Sequence, residues 1–321
     1  MHTENDCAIA ELPVAAALDR YCSQWLPANN RSLKTITAYR ADLGQLVSSM
    51  PPQTKLGELS RDHLEAWLAK LQGGGYMGSS IRRKLASVRG FLRYWEERGL
   101  VDFAGLRAMR ARPVATRTLT RVVPAGEMSK LIAYLAREHA RKGGRTGSFL
   151  RLRNRTIVHT LYATGMRVGE LVSLTLDSVR LEQGEIRVLG KGRRERLSYV
   201  VGPLERELLE EYLRLRESLA AGHSLLFVNQ KLDPLTTGGV RALLRRAGDA
   251  SGVDLRITPH MLRHTAATHL LENGADLRVV QTFLGHSSIR STERYTHVSE
   301  GHLRSVLTRC HPLSLSAADG A

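Results

Sequence analysis

Residues 258–269 read Thr-Pro-His-Met-Leu-Arg-His-Thr-Ala-Ala-Thr-His. Thr258 is a good N-cap and Pro259 a good first helical residue, so a helix should begin there. His260, Arg263 and His264 then stand at i, i+3 and i+4, on one face of its first turns. A guanidinium beside an imidazole at a helix N-terminus makes an anion site, because the helix dipole and the planar fork both favour a phosphate. The plainer alternative is one buried histidine and one surface arginine. Two other stretches share this character. In residues 163–171, ATGMRVGEL, Arg167 opens a short helix just past a Thr-Gly turn, again an anion-friendly place. In Leu284-Gly285-His286, Gly285 fits a helix C-cap and sends His286 off the helix end in a defined direction. Nine residues later Tyr295 stands in Arg-Tyr-Thr-His. A lone tyrosine in such a place ordinarily packs as an amphipathic side chain.

Other chemistries fit less well. His260 and His264 have the HxxxH spacing of a zinc helix, and seven of the twelve histidines follow residue 259. Residue 261 is Met, however, so the general base of HExxH is missing, and Arg263 beside the pair would repel a cation. No metal is expected. Gly190-Lys191-Gly192 lacks the upstream Gly and the following Ser or Thr of a P-loop, so phosphate chemistry must run without that ATP cradle. Cys7, Cys22 and Cys310 form neither a CxxC pair nor a disulfide framework, which fits a reducing compartment. No apolar run approaches the ~18 to 20 residues of a membrane span. The N-terminus, with Glu4, Asp6 and Glu11, lacks the basic start of a signal peptide.

Charge points to a polyanion. The 321 residues carry 47 Lys and Arg against 31 Asp and Glu, a net of +16, and 42% of them are apolar, enough for a real core. The excess is shared. Residues 1–122 hold 18 basic and 11 acidic side chains, and the remainder hold 29 and 20. Both parts are ready to meet DNA or RNA. A basic surface tuned only for solubility is the bland alternative.

These residues need a frame. Residues 11–98 read as four helices: about Leu12 to Trp25, one after Ser32, one after Ser60 as N-cap, and one after Gly78-Ser79. In the fourth, Ile81, Leu85, Val88, Leu92 and Trp95 step by four, three, four, three along one stripe. Its other face carries Arg82, Arg83, Lys84, Arg89 and Arg93, a basic back suited to phosphates. Residues 99–122 read as a linker. No acid falls between Asp102 and Glu127, but Arg107, Arg110, Arg112, Arg117 and Arg121 do. Such a strand lies along a nucleic-acid backbone or is simply solvated. From residue 123 a second unit follows. Its helices are expected from about Ala125, at Arg153 to Ala163 after a long basic loop around Arg137 to Arg155, and at Val168 to Leu174. A hairpin comes next, with Lys191 at its tip between Ile186–Val188 and Leu197–Val201. Further helices are expected at Pro203 to Ala220, Thr237 to Ala250, Pro259 to Asn273 and Asp276 to Leu284. The last ten residues look frayed.

In combination, ATGMRVGEL, the hairpin lysine, PHMLRHTAATHL and LGHSSIRSTERYTHV stand in one order. That order resembles the tyrosine recombinase (phage integrase) family, in layout the Xer-type recombinases, strongly over residues 120–309 and by architecture alone before that. The resemblance implies a mainly α fold with a small β-hairpin sheet. A helical, SAM-like core-binding domain (1–98) and a basic linker (99–122) would precede an α+β catalytic domain (123–310) and a flexible tail (311–321). It implies a site-specific DNA recombinase, with Tyr295 as nucleophile forming a 3′-phosphotyrosine. Arg167 and Arg263 would grip the scissile phosphate, Lys191 would protonate the leaving 5′-oxygen, His260 would accept or relay the tyrosine proton, and His286 would donate to the phosphate. No cofactor, metal or ATP is implied. DNA contacts are expected from Lys34, Arg40, Arg82, Arg83, Lys84, Arg89, Arg110, Arg112, Arg117 and Arg193. The partners implied are double-stranded DNA sites and a homo- or hetero-tetramer, in the cytoplasm on the nucleoid. Leu303, Val306 and Leu307 would form a short helix that docks on a neighbour or folds back on its own domain. A type IB-like topoisomerase shares this chemistry, and a non-catalytic DNA-binding regulator would share the charge and the helices.

Overall fold

A computed structural model describes residues 10–98, 103–109, 121–190, 195–219, 224–285 and 299–315. It is mainly helical with one small sheet, and it divides into two compact units, Met1–Thr118 and Leu119–Ala321.

In the first unit, α1 (Val14–Arg20) runs on through a π turn at Tyr21–Trp25 and a last turn at Leu26–Ala28. Ser32 caps α2 (Leu33–Val47) by accepting from the Thr35 amide at 3.2 Å. Ser60 and His63 form a reciprocal cap at the start of α3 (Arg61–Gly73). The stripe on α4 (Gly78–Glu96) is buried, and with Trp67, Leu43 and Leu46 it makes the core. Each large apolar side chain removed from water there is worth about 1.5–3 kcal/mol. Two expectations need correction. Lys84 does not belong to a basic back: only 5% of it is exposed, and its Nζ sits 3.1 Å from Asp42 Oδ1 and 2.6 Å from Gln45 Oε1. Its stripe neighbours draw it inward, and the buried carboxylate of Asp42, which also binds Arg83 and Ser87, makes that burial tolerable. The expected linker is partly structured. Phe103 and Met109 are buried in this core around α5 (Ala104–Ala108), and Arg107 pairs with Glu96 at 2.6 Å.

The second unit is built around one buried helix. It opens with α6 (Ala125–Ala140) and α7 (Arg145–Thr164). Residues 156 to 164 of α7 are all buried, so this stretch is enclosed on every side. Several of its polar groups find internal partners: Thr164 Oγ1 donates to Thr160 O at 2.6 Å, His159 Nδ1 pairs with Glu205 Oε1 at 2.7 Å, and Tyr162 Oη meets His269 Nδ1 at 2.7 Å. The long basic loop does not exist as expected. The helix begins at Arg145, because Phe149 and Leu152 supply buried contacts within about one turn before Arg153. Arg151 turns back to donate to Arg141 O at 2.8 Å.

A short α8 (Val168–Val172) leads into an antiparallel sheet of β1 (Val179–Arg180), β2 (Glu185–Leu189) and β3 (Glu195–Tyr199). The first strand was not legible in the sequence. In the hairpin Glu185 faces Tyr199 and Leu189 faces Glu195. Then come α9 (Pro203–Leu219), α10 (Thr237–Ser251), α11 (Pro259–Glu272) and α12 (Leu277–Leu284). The chain closes with α13 (Glu300–Cys310) and α14 (Pro312–Leu315). Leu303, Val306 and Leu307 pack into this unit's own core. The flexible tail is corrected at its start: His311 is fully buried, its Nε2 is 3.3 Å from Tyr162 O, and Leu313 is buried beside it. No helix among the described residues is long and apolar enough to cross a membrane.

Candidate active site

The anchor is Arg263. Thr258 caps α11 by accepting from the Met261 amide at 3.2 Å, and Pro259 supplies the first helical residue. Arg263 then falls one turn in, on the face turned toward α7 and α12. It is 6% exposed. Its Nη1 donates to Gly165 O and its Nη2 to Leu284 O, each at 2.6 Å. Both acceptors lie at the C-terminal ends of helices, where carbonyls lack amide partners and the dipole is negative. Both ends turn on left-handed glycines, Gly165 at φ +55° and Gly285 at φ +66°. One guanidinium therefore joins the ends of α7 and α12, and the fork's remaining N–H groups stay on the same plane as a rigid donor set.

The turn after Gly165 delivers Arg167. Arg167 is the N-cap of α8, and Glu170 three residues on accepts from its amide at 2.8 Å and from its Nη1 at 2.9 Å. Arg196 of β3 reaches the same carboxylate, Nη2 to Oε2, at 3.0 Å. Burial alone would raise the Glu170 carboxyl, but the hydrogen bonds from Arg196 and from Arg167 outweigh it and hold the group below the usual carboxylate range. Arg263 is pushed down to about 10, first by burial and then by Arg167, with Glu170 opposing and Arg196 adding. It remains a cation at neutral pH. Two guanidinium groups, of Arg167 and Arg196, thus share one carboxylate, and a third, of Arg263, lies within its field, so positive charge is in excess there. Arg167 is the open member, with half of its side chain exposed.

His260 and His264, both exposed, flank Arg263 along α11. The paired possibility raised for this stretch resolves in an unexpected way, since here the arginine is buried and the histidines are outside. Lys191, Arg193, His286 and Tyr295 lie outside the described residues, as do Arg110, Arg112 and Arg117. In the first unit Lys34 and Arg82 are exposed. Arg40 is paired with Asp19, Arg83 with Asp42, and Arg89 donates to Met109 O. Arg196 was missed by sequence reasoning. The return strand expected from Leu197 begins two residues earlier, at Glu195, and this takes in Arg196. A basic residue inside a short strand was the available signal. Among the described residues no group of three His, Cys, Asp or Glu side chains is arranged to hold a metal ion.

Comparison with known proteins gives these arrangements a context. Residues 122–302 match the family described as the phage integrase family, and residues 18–99 match the phage integrase N-terminal SAM-like domain. The chain is 36% identical over 300 residues to the tyrosine recombinase XerC of Corynebacterium efficiens, covering 92% of this chain and 91% of that protein. It is 35% identical over 289 residues to the tyrosine recombinase XerD of Listeria innocua, covering 88% and 93%. Among solved structures it is similar to the XerH site-specific recombinase bound to a palindromic difH substrate in a post-cleavage complex. That match has a TM-score of 0.66 and 24% identity, over 94% of this chain and 83% of that one. A lambda integrase tetramer bound to a Holliday junction matches with a TM-score of 0.67 and 18% identity, over 93% and 84%. At these identities the two structures speak for the fold.

Proposed function

The chain belongs to the phage integrase family as a tyrosine-type site-specific DNA recombinase, and from that premise we propose that it cuts and rejoins DNA through a 3′-phosphotyrosine at Tyr295 without metal or ATP. The Tyr295 oxygen attacks the scissile phosphorus, a P–O bond to tyrosine forms, and the bond to the 5′-oxygen breaks. Lys191 gives that oxygen its proton, and His260 takes or relays the proton of the phenol. In the second half a 5′-hydroxyl attacks the phosphotyrosine and releases Tyr295. One phosphoester replaces another at each step, so no outside energy source is needed.

The role of Arg167 and Arg263 follows from charge. The phosphorane formed by in-line attack carries more negative charge than the diester, and fixed planar forks stabilise that excess without reorganising. His286, joined to Gly285 by one peptide bond, would add a hydrogen bond to the phosphate. The observation that carries the reading is the seating of Arg263. Its bonds to Gly165 O and Leu284 O tie the turn leading to Arg167 to the turn leading to His286. Residues nearly a hundred positions apart in sequence are thereby held in one cationic pocket. Double-stranded recombination sites are the proposed partners. We assign the working assembly as a tetramer on DNA, of identical chains or with a related recombinase, in the cytoplasm.

A nicked suicide duplex of a candidate site, incubated in EDTA, tests this. Wild type should give a covalent protein–DNA band that is absent in Tyr295→Phe and strongly reduced in Arg167→Ala and Arg263→Ala. Tyr295→Phe should bind the duplex normally, with an affinity that falls steeply as salt rises. A chelator-sensitive reaction, or an adduct that survives loss of Tyr295, refutes the mechanism.

A further inference from the structure

Among the described residues, the Arg196 side chain is the one guanidinium of the pocket to which the mechanism above gives no task. It is 18% exposed and stands on β3, one residue from the end of the hairpin pairing. Two things confine it. On one side Nη2 binds Glu170 Oε2 at 3.0 Å. On the other the side chain lies close against the Gly285 turn: a Cβ built at Gly285 would fall 2.7 Å from Arg196 Nε and 2.8 Å from its Cδ. Its Nε meets no acceptor among the described residues, so contact with the turn rather than hydrogen bonding fixes that end.

Glu170 in turn has three bonds to distribute. Two go to Arg167, from its amide and its Nη1, and the third comes from Arg196. Without Arg196 the carboxylate would have its remaining lone pairs unmatched in a place where only 7% of it reaches solvent. It would then rotate toward water or draw Arg167 fully onto itself. Either movement displaces the exposed Arg167 fork, whose charge is felt at Arg263.

We propose that Arg196 is a positioning residue of the recombination site: a strut between the Gly285 turn and Glu170 that fixes where Arg167 presents its guanidinium. Resting on the reading above, the strut acts on Arg167 and not on DNA. Arg196 makes a good strut because a guanidinium is rigid and can press against a glycine while one edge donates. A lysine keeps the charge but offers a single point instead of an edge and a face.

The test is a double-mutant cycle on single-turnover cleavage of the nicked duplex by the full-length protein. Arg196→Gln should lower the cleavage rate about 30-fold while the Kd for the duplex changes by less than about threefold. Added to Arg167→Ala, the same change should cost at most about fivefold, because the group it positions is already gone. Arg196→Lys, which keeps the charge in the fold, carries the same cycle if the glutamine variant is unstable. It should cost about tenfold alone and less than about threefold on Arg167→Ala. The strut is refuted if either variant cleaves like wild type, if its penalty is undiminished in the Arg167→Ala background, or if binding falls in step with cleavage. Wild type serves as the separate check: absence of a Tyr295 adduct there would refute the recombinase mechanism itself, whereas a normal adduct with an inert Arg196 would refute the strut alone.

Discussion

Gly285→Ala offers a quantitative probe of the pocket, because the chain contains its own control. Gly252 and Gly285 both end helices of the second unit in the left-handed region, at φ +72° and +66°. An added methyl group at Gly252 meets nothing within 4 Å, whereas at Gly285 it lands 2.7 Å from Arg196 Nε. Both substitutions incur the left-handed penalty of a residue with a Cβ, about 1–2 kcal/mol. Only Gly285→Ala must also displace Arg196 and break its charge-assisted bond to Glu170, for about 1.5–3 kcal/mol more. The expected totals are about 2.5–5 kcal/mol for Gly285→Ala and about 1–2 kcal/mol for Gly252→Ala. All three tryptophans, Trp25, Trp67 and Trp95, lie in the first unit, so their fluorescence follows that unit only. The second unit is then read as the part of the far-UV circular dichroism transition in urea that fluorescence does not share. Cleavage should fall about 100-fold in Gly285→Ala, since the neighbouring Leu284 carbonyl holds Arg263, and change little in Gly252→Ala. In an Arg196→Ala background the excess cost of Gly285→Ala should vanish. Equal costs at the two glycines, or an excess that persists without Arg196, would refute the packing argument.

Two further expectations concern stability. Asp42→Asn leaves Lys84 buried without a countercharge and should destabilise the first unit by about 3–5 kcal/mol, seen in tryptophan fluorescence during urea unfolding. Burial raises the Asp42 carboxyl, but hydrogen bonds from Arg83, Lys84 and Ser87 prevail and hold it below its usual range. Its contribution is therefore present above the ordinary carboxylate range and lost as pH falls below about 4, and the acid slope of the first unit should flatten in Asp42→Asn. His311 behaves in the opposite chemical sense, since burial pushes it down to about 4. The unfolded chain takes up that proton near pH 6.5 and the folded chain does not, so the second unit should lose up to about 3 kcal/mol as pH falls from 6.5 to 4. His311→Gln should remove most of that slope in pH-dependent urea titrations. An unchanged slope would mean that His311 is accessible in the native state.

Periodicity and capping chemistry are local, and what they govern was legible. The stripe of α4, the Ser32, Ser60 and Thr258 caps and the glycine ends of α7 and α12 each depend on residues within a few positions of one another. The order of the motifs identified the family for the same reason, since it is a property of the chain and not of its packing. The sidedness of charge was not legible. Arg83 and Lys84 are adjacent basic residues on one helix, yet one stays at the surface while the other is buried, because Asp42 of another helix waits beneath it. Whether Arg263 belonged to an anion site or was a surface cation beside a buried histidine stayed open in the sequence, and the fold buries the guanidinium by bringing two bare helix ends to it. Arg196 carried no motif at all. Its part in the site arises only when β3, the Glu170 turn and the Gly285 turn converge. Such convergence depends on long-range contacts between carbonyls, carboxylates and side chains that no local spacing records, and it was tertiary packing that decided it.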